Sequence, residues 1–308
     1  MKKISNNTFL IDTAEELSLL RENDTPCSFV PTMGNLHEGH LQLIKMGLDL
    51  LNLVYVSIFV NPTQFAANED FHSYPRTLEE DLKKLVNLMN SYPQKKIVVY
   101  APKSAEEIYS PQFSTLINVP HLSKELEGIF RPDHFGGVCT VVYLLFQQIK
   151  PIYALFGKKD YQQWKIIEKM TKDLRLGIEI IGVETVRNAD GLALSSRNNF
   201  LTDKEKIQAL NLRLTLLKVR DYLMTNTASN FFDLNLLELF TTKSEEIDWD
   251  YLELRDSSNL KKENQTSIKT THFVILGVYR LGKVRLIDNI EFTLKDQNIT
   301  EQNIMEQN

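Results

Sequence analysis

Two histidines, His37 and His40, stand three residues apart with Gly39 between them, in the run Pro31-Thr32-Met33-Gly34-Asn35-Leu36-His37-Glu38-Gly39-His40. Two imidazoles at that spacing could face one ligand and donate hydrogen bonds to the oxygens of a transferring phosphoryl group, where charge develops. Gly34 and Gly39 would let backbone approach that ligand closely. Free N–H groups at a helix start favour phosphate oxygens in the same place. Two other readings stay open on these residues alone. One is an ordinary polar turn. The other is a zinc pair, although His-Glu-Gly-His is not the His-Glu-x-x-His of a metallopeptidase helix and no third ligand is evident.

Five further stretches carry chemistry. Asn61-Pro62-Thr63-Gln64 places two amides just past a predicted strand, where they could read hydroxyl and carboxylate groups without adding a charge, or simply cap the turn. Tyr74-Pro75-Arg76-Thr77 leads into Glu79, Glu80 and Asp81, acids that would suit a helix N-terminus. Gly157-Lys158-Lys159-Asp160-Tyr161-Gln162-Gln163 offers a tight turn at Gly157 and a cation, Lys159, for phosphate charge. In that turn Asp160 could accept from a ribose hydroxyl or cap a helix, and Gln163 could point into the same cleft; a plain solvated helix start is the alternative. Asp190-Gly191-Leu192-Ala193-Leu194-Ser195-Ser196-Arg197-Asn198 ends in hydroxyls followed by Arg197, a donor cluster suited to a polyphosphate or to pinning two domains together. The run Glu127-Gly128 through Arg131-Pro132-Asp133-His134-Phe135 reads as a fixed loop, with Arg131 able to attract carboxylates and His134 read as structural.

The elements that must position these residues follow from apolar periodicity. Ser28-Phe29-Val30, ending at Pro31, reads as a first core strand. A helical pattern at Leu41, Ile44, Leu48 and Leu51 comes next, then the β-rich run Val54 to Val60. Strand, helix and strand within about 35 residues make a βαβ unit, hence a parallel sheet with right-handed crossover. The rhythm continues with a helix over 78–89, a strand over 97–100, a buried helix over 138–149, a strand over 152–156, a helix over 161–174 and a strand over 178–183. The pattern is that of a doubly wound α/β domain, whose ligands bind beyond the carboxyl ends of strands. Texture changes near 185–200. A helix capped by Thr202 and Glu205 then runs to about Met224, a break covers Thr225 to Asn230, and a shorter helix covers 234–240. Strands follow at 251–255 and 272–279. The expected division is 1–185 for the larger domain and 186–292 for a smaller α+β lid domain. A polar tail, 293–308, should be disordered.

The chain has 308 residues, 43% of them apolar, and a net charge of -5. No basic block stands out, so no nucleic-acid partner is expected. The strongest apolar run, Val138 to Phe146, is too short to cross a bilayer, and no signal-like segment opens the sequence, so no membrane partner is expected and a cytoplasmic location is. The two cysteines, Cys27 and Cys139, form no metal or disulfide framework.

Taken together, these motifs resemble the pantothenate synthetases, the pantoate–beta-alanine ligases, over about residues 10 to 290. The resemblance implies a Rossmann-like fold of the nucleotidylyltransferase type with a smaller C-terminal α+β domain. It implies ATP-dependent condensation of D-pantoate with beta-alanine through a pantoyl adenylate. His37, His40, Lys159 and Arg197 would be catalytic. Met33, Gly39, His40, Gly157, Lys159, Asp160, Ser195, Ser196 and Arg197 would bind ATP. Met33, Asn61, Gln64 and Gln163 would bind pantoate. Asp81, or Glu80 as second candidate, would hold the Mg2+ that travels with ATP. A homodimer is expected. Two positions depart from the family: Thr63 stands where Met is usual and Lys158 where Glu is usual. Two other functions fit some of the same residues: a nucleotidyltransferase joining a nucleotide to a phosphorylated acceptor, and a catalytically silent nucleotide-binding protein.

Overall fold

Short runs, most of them apolar, build a seven-stranded sheet: β1 (Lys2–Lys3), β2 (Thr8–Ile11), β3 (Ser28–Thr32), β4 (Leu53–Ile58), β5 (Lys96–Tyr100), β6 (Tyr153–Gly157) and β7 (Glu179–Val183). The computed structural model describes residues 1–22, 24–67, 69–225, 234–241, 247–262 and 271–294. Strand order is β1-β2-β5-β4-β3-β6-β7, and every neighbouring pair is parallel except β1 with β2. The sheet is therefore mixed at one edge, where uniform parallel pairing was expected. The strand at Ser28 is the third of the chain and not the first. β2 and the helix α1 (Ala14–Arg21) precede it. Only four residues long and set among polar neighbours, β2 gives no periodic signal of its own. It exists because Thr8 to Ile11 pair with Ile97 to Tyr100 of β5.

The other helices of this unit are α2 (Glu38–Leu50), α3 (Leu78–Met89), α4 (Pro120–Ser123), α5 (Glu127–Phe130), α6 (His134–Ile149) and α7 (Tyr161–Asp173). Leu41, Ile44 and Leu48 of α2 and Leu85 and Met89 of α3 pack on Val30, Val54, Val56, Ile97, Val99 and Leu155 of the sheet. α6 is buried along most of its length, which is why its sequence is apolar nearly all round. Cys27 and Cys139 are free and buried, packed as small hydrophobes.

Strand order creates the crevice. From β3 the chain moves to β4 and β5 on one side, and from β6 to β7 on the other, so β3 and β6 flank the switch point where ligands bind in open α/β sheets. The two strands also part there. β3 pairs with β4 along its whole length, from Ser28↔Val54 to Thr32↔Ile58, but with β6 only at Ser28↔Tyr153 and Phe29↔Ala154. Pro31 explains the difference. Successive residues of a strand aim their backbone groups at opposite neighbours, and the Thr32 carbonyl accepts from Phe59 on the β4 side. Pro31 therefore faces β6, and it has no N–H to offer.

The chain divides into two compact units. The first is Met1–Val186 with Leu194–Ser196, and the second is Arg187–Ala193 with the described residues from Arg197 onward. The second unit contains α8 (Asp203–Thr225), α9 (Leu236–Phe240) and an antiparallel sheet of β8 (Ile247–Asp256), β9 (His272–Leu281) and β10 (Val284–Thr293), in the order β10-β9-β8. Leu216, Val219 and Leu223 of α8 pack on Leu252, Phe273, Ile275, Ile290 and Phe292. The helix begins as its sequence predicts: Glu205 N–H donates to Thr202 Oγ1, and Glu205 Oε2 accepts from Thr202 N–H. The break after Thr225 and the tail beyond Leu294 lie outside the described residues. No helix among the described residues is long and apolar enough to cross a membrane.

Candidate active site

The turn after β3 reverses the chain into α2. Gly34 takes φ +84°, and a Cβ there would stand 3.0 Å from Ile58 Cγ2 and 3.3 Å from Asp81 Oδ2, so glycine is needed on both counts. Asp81 of α3 clamps this turn. Its Oδ2 accepts from Asn35 N–H at 2.9 Å and Thr77 Oγ1 at 3.1 Å, and its Oδ1 accepts from Leu36 N–H at 2.7 Å. Lys84, one turn further along α3, donates to the Leu36 carbonyl at 2.6 Å.

His37 is the N-cap of α2. Its Nδ1 accepts from Gly39 N–H at 3.1 Å, while His40 Nδ1 accepts from His37 N–H at 3.3 Å. The ring centroids are 4.1 Å apart. Burial, with the Lys159 ammonium next in effect, lowers His37 to about 4; burial, with His37 and Lys159 next, lowers His40 to about 3. Both rings are thus neutral at pH 7. Because Nδ1 is the acceptor in each, the single proton sits on Nε2. The pair offers two uncharged N–H donors beside a lysine, which suits oxygens that gain negative charge.

At the end of β4, Asn61 is buried and wholly engaged: its Nδ2 donates to Gln64 Oε1 and Gly137 O, and its Oδ1 accepts from Thr63 N–H, Thr63 Oγ1 and Tyr109 OH. Gln64 Nε2 lies 3.2 Å from Met33 Sδ, so these two expected pantoate residues adjoin one another. His134 is structural. Its Nδ1 pairs with the Gln64 carbonyl at 2.9 Å, and burial followed by Arg131 lowers it to about 4, which keeps it neutral. Arg131 forms a bidentate pair with Glu69 at 2.5 and 2.7 Å, an internal partner for its guanidinium.

At the end of β6, Gly157 leaves open space where a side chain would stand. Lys159 Nζ is 3.6 Å from Asp160 Oδ1. Asp160 occupies the N-cap position of α7 but makes no side-chain cap bond. Its charge acts on both His37 and His134, so the ends of β3, β4 and β6 converge electrostatically. Gln163 is half-buried on α7. Its neighbour Gln162 is buried and holds the loop before α6, donating to Leu122 O and Glu125 O and accepting from Glu127 N–H. Ser195 and Ser196 belong to the first unit, in a segment tied by Leu194 N–H to Val186 O just past β7. Arg197 is counted with the second unit.

Asp81, expected at the metal, is tied into the β3–α2 turn. Asp81 is 0% exposed, and both its oxygens are engaged by the β3–α2 turn. A carboxylate so placed clamps the turn. Glu80 is exposed. Among the described residues no three His, Cys, Asp or Glu side chains gather as a metal site. Sequence reasoning missed Lys84, Tyr109 and Gln162. Lys84 follows Asp81 by three positions, one turn along the same helix face, which could have flagged it. Nothing local signals Tyr109.

Residues 8–291 match the family model for pantoate-beta-alanine ligase. The pantothenate synthetase of Thermosipho africanus (strain TCF52B) is 40% identical over 285 residues, 91% of this chain and 99% of that one. The crystal structure of the pantothenate synthetase from Thermus thermophilus superposes with a TM-score of 0.82 at 37% identity, covering 91% of this chain and 98% of its own. That of the pantoate-beta-alanine ligase from Francisella tularensis, complexed with beta-gamma ATP and beta-alanine, gives a TM-score of 0.66 at 30% identity, covering 92% and 97%.

Proposed function

The chain belongs to the pantoate-beta-alanine ligase family and catalyses the ATP-dependent ligation of pantoate and beta-alanine to pantothenate, and from that premise we propose that its reaction runs through a pantoyl adenylate formed in the crevice between β3 and β6. A carboxylate oxygen of D-pantoate attacks the α-phosphorus of ATP, forming one P–O bond as the bond to pyrophosphate breaks. The neutral amine of beta-alanine then attacks the acyl carbon, AMP leaves with the bridging oxygen, and the amine's proton is released as the amide forms. No protein nucleophile is required. The chain must align two substrates and offset phosphate charge.

What supports this reading is the His37–His40 pair, in which each Nδ1 accepts a backbone N–H and leaves Nε2 to donate, with burial and Lys159 both favouring the neutral rings. His37, His40 and Lys159 hold phosphate oxygens, with Gly39 and Gly157 leaving room for them. Asp160 accepts from the nucleotide. Met33, Gln64 and Gln163 face the acid. Ser195, Ser196 and Arg197 join the ATP contacts on the strength of the family resemblance. Magnesium enters as part of the MgATP substrate, with exposed Glu80 placed to meet it more readily than Asp81, whose oxygens the β3–α2 turn occupies. The solved relative from Francisella tularensis, complexed with an ATP ligand and beta-alanine, supports the nucleotide and amine parts of this reading. A homodimer belongs to the same proposal, and sedimentation of the purified chain measures it.

The decisive assay supplies ATP, magnesium and D-pantoate without beta-alanine. Labelled pyrophosphate should exchange into ATP only when pantoate is present. Folded protein that makes pantothenate yet shows no exchange would rule out a free-standing adenylate step.

A further inference from the structure

The polarity of Asn61 is dictated by two backbone groups whose roles admit no choice. The Thr63 N–H, which can only donate, is 3.3 Å from Oδ1, and the Gly137 carbonyl, which can only accept, is 3.2 Å from Nδ2. Reversing the amide would set donor against donor and acceptor against acceptor. The second Nδ2–H then meets Gln64 at 3.1 Å, so the Gln64 atom there must be its oxygen. Its Nε2 is turned the other way, toward the sulfur of Met33. A thioether is a weak acceptor, so Nε2 keeps its donor capacity for an oxygen. Two hydroxyls complete the chain. Tyr109 OH donates to Asn61 Oδ1 at 2.7 Å and Thr63 Oγ1 donates to it at 3.0 Å. Tyr109 and Asn61 are 8% and 1% exposed. Burial raises the Tyr109 phenol above its ordinary value, which keeps the proton it donates. Each bond into Oδ1 polarises the amide and strengthens what Nδ2 gives to Gln64.

We propose that Tyr109 and Thr63 are positioning residues for the acid substrate: acting through Asn61, they hold Gln64 as a hydrogen-bond donor to a pantoate oxygen. Asn61 serves this relay and does not itself touch the acid. The relay rests on the reading that Gln64 contacts pantoate, and the test separates the two.

Steady-state rates are measured with pantoate varied at saturating MgATP and beta-alanine, for Tyr109→Phe, Thr63→Val and Thr63→Ser, each alone and combined with Gln64→Ala. Tyr109→Phe and Thr63→Val should each raise the pantoate KM about three- to tenfold, the loss of one hydrogen bond. The KM values for ATP and beta-alanine should hold, and Thr63→Ser should keep what Thr63→Val loses. In the Gln64→Ala background neither change should raise the pantoate KM further, since the group they orient is gone. An equal rise in both backgrounds, or a matching rise in the ATP KM, overturns the relay. If Gln64→Ala alone leaves the pantoate KM unchanged, the contact itself is wrong and the relay falls with it. If Gln64→Ala raises that KM while Tyr109→Phe and Thr63→Val do not, only the relay falls.

Discussion

Gly39 lies against the His37 imidazole: a Cβ on Gly39 would stand 2.8 Å from Cε1 and 2.9 Å from Nδ1 of that ring. The ring cannot yield without giving up the Gly39 N–H that sets its tautomer. Helix propensity alone would favour alanine here by about 1 kcal/mol. Loss of the His37 cap offsets that gain, so Gly39→Ala should change thermal stability little while pantoate-dependent pyrophosphate exchange falls at least about tenfold, the loss of one preorganised donor. A variant that keeps its exchange rate would show that the His37 ring has no part in the first step.

Three histidines carry values well below the ordinary one: His37 and His134 at about 4 and His40 at about 3, each chiefly through burial. In the unfolded chain all three would bind protons near pH 6.5. Between about pH 6.5 and pH 4 the unfolded state thus holds protons the folded state refuses. The stabilisation is complete above the unfolded value and is lost as pH falls toward the folded ones, with a limiting slope of about 1.4 kcal/mol per pH unit for each group. Urea unfolding at pH 7, 6 and 5 should show stability dropping on acidification, and His134→Gln should flatten that drop. Exchange activity should show no histidine titration from about pH 6 to 8.

Asp81→Asn separates a clamp from a metal ligand. The substitution keeps one acceptor oxygen where the carboxylate satisfies two backbone N–H groups and the Thr77 hydroxyl. Hydrogen bonds to a charged acceptor are worth roughly 1.5–3 kcal/mol each, so a loss of about 2–4 kcal/mol in unfolding free energy is expected. The magnesium concentration for half-maximal rate should not move. A large increase in that concentration at unchanged stability would return Asp81 to the metal.

Arg187 and Asp288 pair within the second unit at 2.6 and 2.8 Å, with the Asp288 side chain 4% exposed. Arg187→Ala would leave that carboxylate buried beside only weaker partners. The expected cost is about 3–5 kcal/mol, read by denaturant unfolding. Replacing both residues, Arg187→Met with Asp288→Leu, should cost less than the single change. A single change costing under about 1 kcal/mol would mean that water reaches the carboxylate freely.

Much of this protein was written locally. The helix over Leu78–Met89 starts and stops where its apolar spacing says, and Thr202 and Glu205 cap α8 as their types predict. The three turns that bear His37, Gln64 and Lys159 were legible because strand ends and helix starts are marked by glycine, proline and amides. β2, α1 and β10 were not read. β2 is too short for periodicity and is held by β5, nearly ninety residues later in the chain.

The use made of each polar group was decided by tertiary structure. Nothing near Asp81 in sequence says that its carboxylate serves Asn35 and Leu36, and nothing near Asn61 announces Tyr109 or Gly137. Propensity and capping depend on neighbours within a few residues, so sequence carries them openly. A buried donor or acceptor must instead be satisfied by whatever the fold brings beside it. Here strand order did the bringing: with β3 between β4 and β6, groups from four parts of the chain met at one end of the sheet, and those meetings separated the residues left facing the crevice from those holding it in shape.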